Sequence, residues 1–168
     1  MLEMSDFLKS FDEKISLIES LGDYRFEIYV HNKEDKVVAT IRTSADSQTE
    51  IEMSVEDIVY LTEYGTLTIP GKHLFDHIVY WCSNEIHYTL DHIMDNILER
   101  NWGEGEIWTE MLAFEAKANG YIQSYLSSYF DKTNLLAGYL GQDITNGALT
   151  DMDVLKNHIR CKVYRNSQ

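Results

Sequence analysis

The chain has 168 residues, of which 44% are hydrophobic and 25% charged, and its formal net charge is −14. This composition is typical of one globular domain, and a single proline, Pro70, excludes Pro-rich linkers. The negative charge argues against specific binding to nucleic acid or to an anionic membrane surface, because both would repel it. The two cysteines, Cys82 and Cys161, show no CxxC or secretory spacing, which predicts free thiols in a reducing cytoplasm.

The acidic charge is concentrated in the middle of the chain. Residues 54–110 contain 2 Lys or Arg and 11 Asp or Glu, whereas residues 111–168 contain 6 and 5. Such an acidic stretch can contact a basic partner, mimic a polyanion or line a passage for one, or it can serve solubility alone. No apolar run is long enough to span a membrane, and no export signal opens the chain. We therefore expect neither a membrane-spanning segment nor export.

Hydrophobic periodicity predicts a helix at the start of the chain. Apolar residues recur every three or four positions over 5–21, and Ser5 is a suitable N-cap. Gly22 follows the last apolar position, as glycines commonly do at the end of a helix. We therefore expect an N-terminal helix within residues 1–22.

Strands are expected over residues 24–53. Tyr24, Phe26, Ile28 and Val30 alternate with more polar residues over 24–30, which is the period of a strand. A polar turn separates this segment from 36–43, which is predicted to be its hairpin partner, and a further short strand is expected around 49–53.

A change of period at Ser54 predicts a short helix over 54–65. Ser54 and Asp57 have the spacing of a capping box, although Asp replaces the usual Glu or Gln. Beyond this helix, Pro70 disfavours helical backbone in the residue before it. We therefore expect residues 66–72 to form an extended, exposed arm.

Two long helices are predicted over 72–130, separated by the sequence NWGEGE. The expected buried stripe of the first helix consists of Leu74, Phe75, Ile78, Cys82, Ile86, Leu90, Ile93 and Ile97. That of the second consists of Trp108, Met111, Leu112, Ala118, Ile122, Tyr125, Leu126 and Tyr129. Residues 131–148 are expected to form a loop.

The segment 149–164 is expected to be a closing turn and strand. Alternation in its strand predicts one buried and one exposed face, namely Ile159, Cys161 and Val163 against Arg160, Lys162 and Tyr164. Leu155 is expected to be buried in the preceding turn. The predicted fold is one α+β domain over 1–168, with a small antiparallel sheet packed against two long helices, an N-terminal helix, and the final strand returning to the sheet.

Two histidines of the first long helix are the sharpest candidates for catalytic or metal chemistry. His73 and His77 are four residues apart, the spacing of a metal pair, and Asp76 lies beside them. However, the glutamate that a zinc hydrolase helix uses as base is absent, and the sequence suggests no third ligand. We therefore expect surface or interface histidines and predict no metal site.

Other signatures of catalysis are missing from the sequence. Gly103 and Gly105 lie between glutamates, which would repel a phosphate group. There is no GxSxG motif, and neither cysteine has an evident base partner in sequence. We predict that the protein is not an enzyme, has no catalytic residues and needs no cofactor.

Residues 54–75, SVEDIVYLTEYGTLTIPGKHLF, resemble a landmark of the virion-morphogenesis and tail-completion (neck) proteins of tailed phages. In that family a short helix ends in an E-[FY]-G-T turn, and an extended I-P-A-R-P-F-L segment leads into a long helix. The identical residues here are Glu63, Tyr64, Gly65, Thr66, Ile69 and Pro70. The departures are Gly71 for Ala, Lys72 for Arg, His73 for the second Pro, and the swapped order of Leu74 and Phe75.

A second landmark of the family, L-I-D-T-G-x-L-x-x-S-I-x-x-x-V, resembles residues 149–163 without a gap. The matching residues are Leu149, Asp151, Leu155, Ile159 and Val163. The chain departs at Met152, Asp153 and His158, where Thr, Gly and Ser are usual. In arrangement, the resemblance covers residues 36–164.

The resemblance implies a structural virion protein that joins the head connector to the tail as one subunit of a ring, with a hexamer as one candidate. Its partners would be copies of itself, the head connector, and tail-terminator or tail-tube proteins. DNA would pass without specific binding, no membrane would be involved, and the protein would lie in the virion neck after assembly in the host cytoplasm. The residues expected at interfaces are Tyr64, Gly65, Thr66, Ile69, Pro70, Lys72 and Lys162.

The alternative function is that of an acidic binding inhibitor. Such a protein would mimic nucleic acid to block a basic enzyme, or would neutralise a basic toxin as its immunity protein. The composition is equally compatible with both functions. The two landmarks favour the neck protein, because an inhibitor has no reason to carry them.

Overall fold

The computed structural model describes residues 4–44, 47–64, 73–132 and 152–166. In chain order the elements are α1 (Met4–Ser20), a 3-10 turn (Leu21–Asp23), β1 (Tyr24–Val30), β2 (Lys36–Ser44), β3 (Ser47–Ser54), α2 (Val55–Tyr64), α3 (Leu74–Arg100), α4 (Glu104–Lys132), α5 (Met152–His158) and β4 (Ile159–Arg165). The predicted α+β class is confirmed, with an N-terminal helix and two long helices. Most of the predicted loop 131–148 lies outside the described residues, as does the predicted arm 66–72.

The strands pair differently from the expected hairpin. β1 pairs with β4, and β2 pairs with β3 in antiparallel register, with Lys36 opposite Ser54. The predicted pairing of 24–30 with 36–43 is therefore wrong, whereas the predicted return of the final strand to the sheet is confirmed. The turn after β1 explains the difference. The carbonyl of Asp35 accepts a hydrogen bond from Val55 N at 3.0 Å, so the chain there pairs with the start of α2.

β1 and β4 run antiparallel, as two hydrogen bonds at opposite ends of the strands show. His31 N, just after β1, donates to the carbonyl of His158, just before β4, at 2.6 Å. Asn166 N, just after β4, donates to the carbonyl of Asp23, just before β1, at 2.9 Å. Since the start of each strand lies at the end of the other, the directions are opposite.

The chain divides into two compact units. Unit 1 contains Met1–Glu27, Tyr80–Ala118 and Cys161–Gln168, and unit 2 contains Ile28–Val79 and Asn119–Arg160. The single domain expected from the length stays a prediction. Among the described residues, no helix combines the length and the apolar character needed to cross a membrane.

The core of unit 1 is built from one face of each long helix and from β4. Its buried side chains include Cys82, Ile93, Ile97, Ile107, Met111, Phe114, Ala118, Cys161 and Val163. Of the stripe predicted for α3, Leu74, Ile78, Cys82, Ile93 and Ile97 are buried, whereas Phe75, Ile86 and Leu90 are half-buried. The stripe predicted for α4 is partly wrong. Trp108 and Leu112 are 37% and 43% exposed, and Ile107 and Phe114 take the inward positions. Phe114 contacts the ring of Phe26 on β1 edge to face, at 5.6 Å between centroids.

The core of unit 2 includes a cluster around the start of α2. Val55, Ile58 and Leu155 are buried there, and Val30, Met53 and Val59 pack against them. Burial of each large aliphatic side chain is worth about 1.5–3 kcal/mol. The burial of Leu155 that was expected from the sequence is confirmed, because α5 brings this residue to α2.

The predicted capping box at the start of α2 is confirmed. Asp57 N donates to Ser54 Oγ at 3.1 Å, and Ser54 N donates to Asp57 Oδ2 at 3.2 Å. The hydroxyl of Ser54 also donates to the same carboxylate oxygen at 2.6 Å. These bonds satisfy backbone N–H groups that have no partner inside the helix, so the boundary at Ser54 is fixed by local residues.

Candidate functional site

Two surfaces contain the described residues that were predicted to lie at interfaces. Tyr64 lies at the end of α2, in unit 2, and Lys162 lies on β4, in unit 1. The other predicted interface residues lie outside the described part of the chain, namely Gly65, Thr66, Ile69, Pro70 and Lys72. The described candidate surfaces are therefore two. The first consists of the end of α2 and the start of α3, and the second is the exposed face of β4.

The end of α2 presents a pair of exposed aromatic side chains. Tyr60 and Tyr64 are 60% and 66% exposed, and their ring centroids are 4.9 Å apart. The two residues are one helical turn apart, so both rings lie on the same face of α2. Large exposed tyrosines in contact with one another are typical of protein interfaces, because each offers apolar area and a hydrogen-bonding hydroxyl.

These tyrosines line a groove of about 500 Å³ in unit 2. Its apolar lining includes Val30, Val59 and Phe75, and an ion pair between Lys33 and Glu56, at 3.1 Å, lies at its side. Both partners of this ion pair are about half exposed, so it stabilises the fold little. The groove combines an apolar lining with charged groups, which is the usual composition of a protein-binding surface.

Glu63 joins the ends of the two helices that flank 65–72. This residue is only 7% exposed, and its Oε2 accepts a hydrogen bond from Phe75 N at 2.8 Å. The carbonyl of Glu63 also accepts a bond from His73 N at 3.3 Å. Phe75 is in the first turn of α3, where backbone N–H groups lack partners and a negative charge is favourable. Glu63, which precedes Phe75 by 12 residues in the sequence, therefore caps the N-terminal end of α3.

His73 immediately precedes α3 in an unusual backbone conformation. Its φ is 50°, in the left-handed region that non-glycine residues rarely adopt. Its Nδ1 lies 3.4 Å from Asp76 Oδ2, in the first turn of the helix. The bonds to Glu63 and Asp76 hold both the backbone and the ring of His73, so the chain enters α3 in a fixed direction.

Glu63, His73 and Asp76 together offer the donor atoms of a possible metal site. One ligand atom from each lies within 4.8 Å of the others. The predicted partner His77 is not in this group and instead lies near the ring of Tyr125, at 6.2 Å between centroids. One His and two carboxylates suit Zn²⁺ or Mn²⁺. However, Glu63 already accepts the Phe75 N–H, and the other two side chains are more than half exposed, so capping accounts for the arrangement without an ion.

The alternation predicted for β4 is confirmed. Ile159, Cys161 and Val163 are at most 4% exposed, and Lys162 is exposed on the opposite face. Arg160 departs from the expectation, since it is half-buried and donates to the carbonyl of Lys156 at 2.7 Å. Its guanidinium thus satisfies a carbonyl in the last turn of α5, where a positive charge is favourable.

The exposed face around Lys162 is a small cationic and aromatic surface. Lys162 Nζ and the guanidinium carbon of Arg25 lie 5.2 Å and 5.4 Å from the centroid of the Tyr164 ring. These are cation–π distances, and each contact at an exposed site is worth about 0.5–1 kcal/mol. In a strongly acidic protein, this positively charged face is suited to an acidic partner surface.

Arg165 extends this surface toward the start of α4. Its two guanidinium nitrogens donate to the two carboxylate oxygens of Glu104, each at 3.2 Å. The hydrogen bond from Arg165 lowers the pKa of Glu104 and raises that of Arg165. The Arg165 guanidinium also lies 5.6 Å from the ring centroid of Tyr24, which stacks on Trp108 at 6.2 Å. This bidentate pair and its aromatic neighbours hold the end of β4 in place.

No protein-family model, no curated protein and no solved structure matches the chain. The likeness to tail-completion proteins therefore depends on the residues of the two landmarks and on what those residues do in this fold.

Proposed function

We propose that this protein is a neck or tail-completion protein of a tailed phage. In this role, copies of the chain would form a ring between the head connector and the tail, around the passage for DNA. The protein would assemble in the host cytoplasm, become part of the virion, and use no cofactor and no catalytic residue.

The observation that carries the proposal is the position of Glu63. This residue belongs to the first landmark, and it is also the buried residue that caps α3. Of the six matched residues of this landmark, Glu63 and Tyr64 lie in the described part of the chain. Here a matched residue links the short helix to the long helix, which is the arrangement that the landmark has in the family.

The second landmark supports the proposal in the same way. Three of its matched residues, Leu155, Ile159 and Val163, are at most 4% exposed. They lie in α5 and β4, the helical turn and strand in which the landmark is expected. Four matched residues of the two landmarks, Glu63, Leu155, Ile159 and Val163, therefore lie at buried positions, whereas Tyr64 is exposed.

The exposed surfaces are compatible with a ring around DNA. Asp91, Asp95 and Glu99 follow one another at four-residue steps on α3, and all three are exposed. This spacing places them on one side of the helix, as an acidic stripe. An acidic wall repels the phosphate backbone, so DNA can pass without adhering. The tyrosine pair and the cationic face of β4 are available for contacts between neighbouring subunits.

Mass photometry and negative-stain microscopy test the proposal. The purified protein is measured alone and after mixing with the connector and tail-tube proteins encoded beside it. We expect rings in at least one mixture, and a gene position between the portal or capsid genes and the tail-tube genes. A Tyr60→Ser/Tyr64→Ser double variant should reduce ring formation, whereas Tyr88→Ser, which changes another exposed tyrosine, serves as the control.

The acidic stripe also favours the second candidate function, an inhibitor that mimics nucleic acid. This function predicts a tight one-to-one complex with a basic nuclease or DNA-binding protein, competed by DNA and weakened by salt. A monomer in every mixture with virion proteins, together with such a complex, would replace the neck assignment by this one.

A further inference from the structure

The groove of about 500 Å³ in unit 2, named the tyrosine groove, has the chemistry of a site for a long basic side chain. The rings of Tyr60 and Tyr64 are more than half exposed and lie 4.9 Å apart. Val30, Val59 and Phe75 supply the apolar part of the lining. The face of an aromatic ring attracts a cation, and apolar side chains pack against the aliphatic stem of lysine or arginine.

The charged groups of the tyrosine groove are mostly negative. Of the described residues that line it, Glu56, Glu63 and Asp76 carry carboxylates, and Lys33 alone carries an ammonium group. The side chains of Glu56 and Asp76 are both more than half exposed. Because a carboxylate can accept several hydrogen bonds, their contacts with Lys33 and His73 leave acceptor capacity for a cation from a partner. The tyrosine groove therefore favours a positively charged partner.

The exposed face of β4 in unit 1 has the complementary chemistry. Lys162 and Arg25 are exposed, and both cations lie within 5.4 Å of the centroid of the Tyr164 ring. Within the described part of the chain, neither of them forms an ion pair with a carboxylate. In a chain with a net charge of −14, these two cations remain available to carboxylates of another molecule.

We propose that the cationic face of β4 in one copy of the chain binds the tyrosine groove of a second copy. Lys162 enters the groove over the rings of Tyr60 and Tyr64. Its ammonium group lies at the carboxylates of Glu56 and Asp76. The inference rests on the proposed function, since that function supplies the expectation that copies of the chain contact one another.

This contact joins two different surfaces, so it is heterologous. Each copy offers its cationic face to one neighbour and its tyrosine groove to another, and such contacts repeat until a ring closes or a filament grows. Pairing of two like surfaces is disfavoured, because two cationic faces or two acidic grooves repel each other. The charges of the two surfaces therefore specify a single direction around the ring.

Two charge-reversed variants of the full chain test the pairing. The face variant carries Arg25→Glu and Lys162→Glu, and the groove variant carries Glu56→Lys and Asp76→Lys. Both surfaces are negative in the face variant and positive in the groove variant, so neither variant should assemble alone. An equimolar mixture places opposite charges at every contact and should form assemblies in which the two variants alternate.

Sedimentation velocity and negative-stain microscopy measure assembly under the conditions in which the wild type assembles, alone or with the connector and tail-tube proteins. Each variant alone should associate about tenfold more weakly than the wild type, or worse, and the mixture should approach the wild type. Lys9→Glu reverses an exposed charge on α1, outside both surfaces, and should assemble as the wild type does.

Melting temperatures of the variants separate a lost contact from a lost fold. If a charge-reversed variant does not fold, the milder Lys162→Gln and Asp76→Asn take its place, and each should weaken assembly in the same direction. Assembly of either surface variant alone at wild-type strength would overturn the inference. Loss of assembly in both variants without recovery in their mixture would also overturn it, because the two surfaces would then contact other partners.

The outcomes distinguish this inference from the neck proposal. Wild-type rings that persist in both charge-reversed variants would overturn the pairing and leave the neck proposal standing. Self-association that follows the charge reversals but never includes a virion protein would support the pairing and contradict the neck function. A wild type that stays monomeric alone and in every mixture with virion proteins would overturn both.

Discussion

The closing strand β4 and the junction between α2 and α3 lie in the two segments on which the proposed function rests, yet they are stabilised in different ways. In β4 the buried residues Ile159, Cys161 and Val163 follow from simple alternation along the strand. At the junction the decisive residue is Glu63, whose carboxylate acts on Phe75, a residue beyond the segment 65–72. The buried face of β4 follows from local periodicity, whereas the junction depends on two contacts of Glu63 with residues distant in sequence, His73 and Phe75.

This difference explains which features could be predicted from the sequence. Alternation and capping-box spacing involve residues within a few positions of one another, so they survive any arrangement of the rest of the chain. A cap supplied by Glu63 depends on which residues the fold brings next to the start of α3, and no short-range pattern specifies this. The sequence contained one indication, because HLFDH begins a helix with no Ser, Thr, Asp or Asn immediately before it. When no local residue caps the start of a helix, its first N–H groups need an acceptor from a residue that is distant in sequence.

The largest expected effect is that of Ile159→Ala in the closing strand. This side chain is fully buried, so its truncation should lower the free energy of unfolding by about 2–5 kcal/mol in chemical denaturation. Ile159→Val, which removes one methyl group, should cost about 0.5–1.5 kcal/mol. A loss for Ile159→Ala no larger than that for Ile159→Val would contradict the role of β4 in the core.

Glu63→Ala should have the next largest effect and tests the junction. The substitution leaves the Phe75 N–H without its acceptor at a partly buried position, which should cost about 1–3 kcal/mol of unfolding free energy. Hydrogen exchange at the amides of the first turn of α3 should increase, while exchange at α4 should change little. Glu63→Gln keeps a carbonyl oxygen at this position and should lose less.

The matched control for Glu63 is Glu56→Ala, on the same helix. Glu56 is exposed, and among the described residues its carboxylate pairs with Lys33, so its removal should cost no more than about 1 kcal/mol. Equal losses for the two glutamates would mean that the junction does not depend on the cap. The same two variants in EDTA and in Zn²⁺ show whether Glu63, His73 and Asp76 act as ligands, for which we expect no shift in melting temperature.

A smaller effect is expected at the start of α2, where the cap is local. Ser54→Ala should cost about 0.5–2 kcal/mol, because it removes the hydroxyl that accepts from Asp57 N. Hydrogen bonds from the Ser54 hydroxyl and backbone lower the pKa of Asp57 below 3.8. A pKa lowered by folding stabilises the folded state above the unfolded-state value, and this stabilisation is lost as the pH falls through the folded-state pKa.

Carboxylate NMR titration measures this prediction directly. The Asp57 carboxyl should titrate below 3.8 in the wild type and move upward in Ser54→Ala. An unchanged Asp57 pKa in the variant would mean that Ser54 is not its main hydrogen-bond donor. The same titration distinguishes the local cap of α2 from the distant cap of α3. Only a substitution at the local cap should change the Asp57 pKa, so Glu63→Ala should leave it unchanged.

The smallest expected effect on stability is that of Lys162→Ala, on the exposed face of β4. Its contact with the Tyr164 ring is exposed, so the loss should stay within about half a kcal/mol for the isolated subunit. If the protein forms the proposed ring, the same substitution should weaken ring formation, because an acidic neighbour would lose its counter-charge. If Lys162→Ala lowered the stability as much as Ile159→Ala, the division of β4 into a buried face and an exposed face would be contradicted.

The incorrect predictions have a similar physical cause, because short-range patterns do not specify contacts between residues that are distant in sequence. Alternation identified β1 and β2 as strands but could not identify their partners, because any strand of suitable polarity can take either edge. The stripe predicted for α4 included Trp108 and Leu112, which lie close to the inward positions Ile107, Met111 and Phe114. The helix begins at Glu104, and from there the three-to-four-residue repeat of the buried positions excludes both.

The pairing of β1 with β4 also has a consequence for synthesis of the protein on the ribosome. β1 emerges early, but the strand that completes its sheet is made only after α2, α3 and α4 have left the exit tunnel. At normal rates of translation this delay is on the order of ten seconds. During that time the edge of β1 that later pairs with β4 lacks its partner, and an unpaired edge invites pairing with other nascent chains. Helices α3 and α4, whose backbone hydrogen bonds are local in sequence, can form before β4 is made.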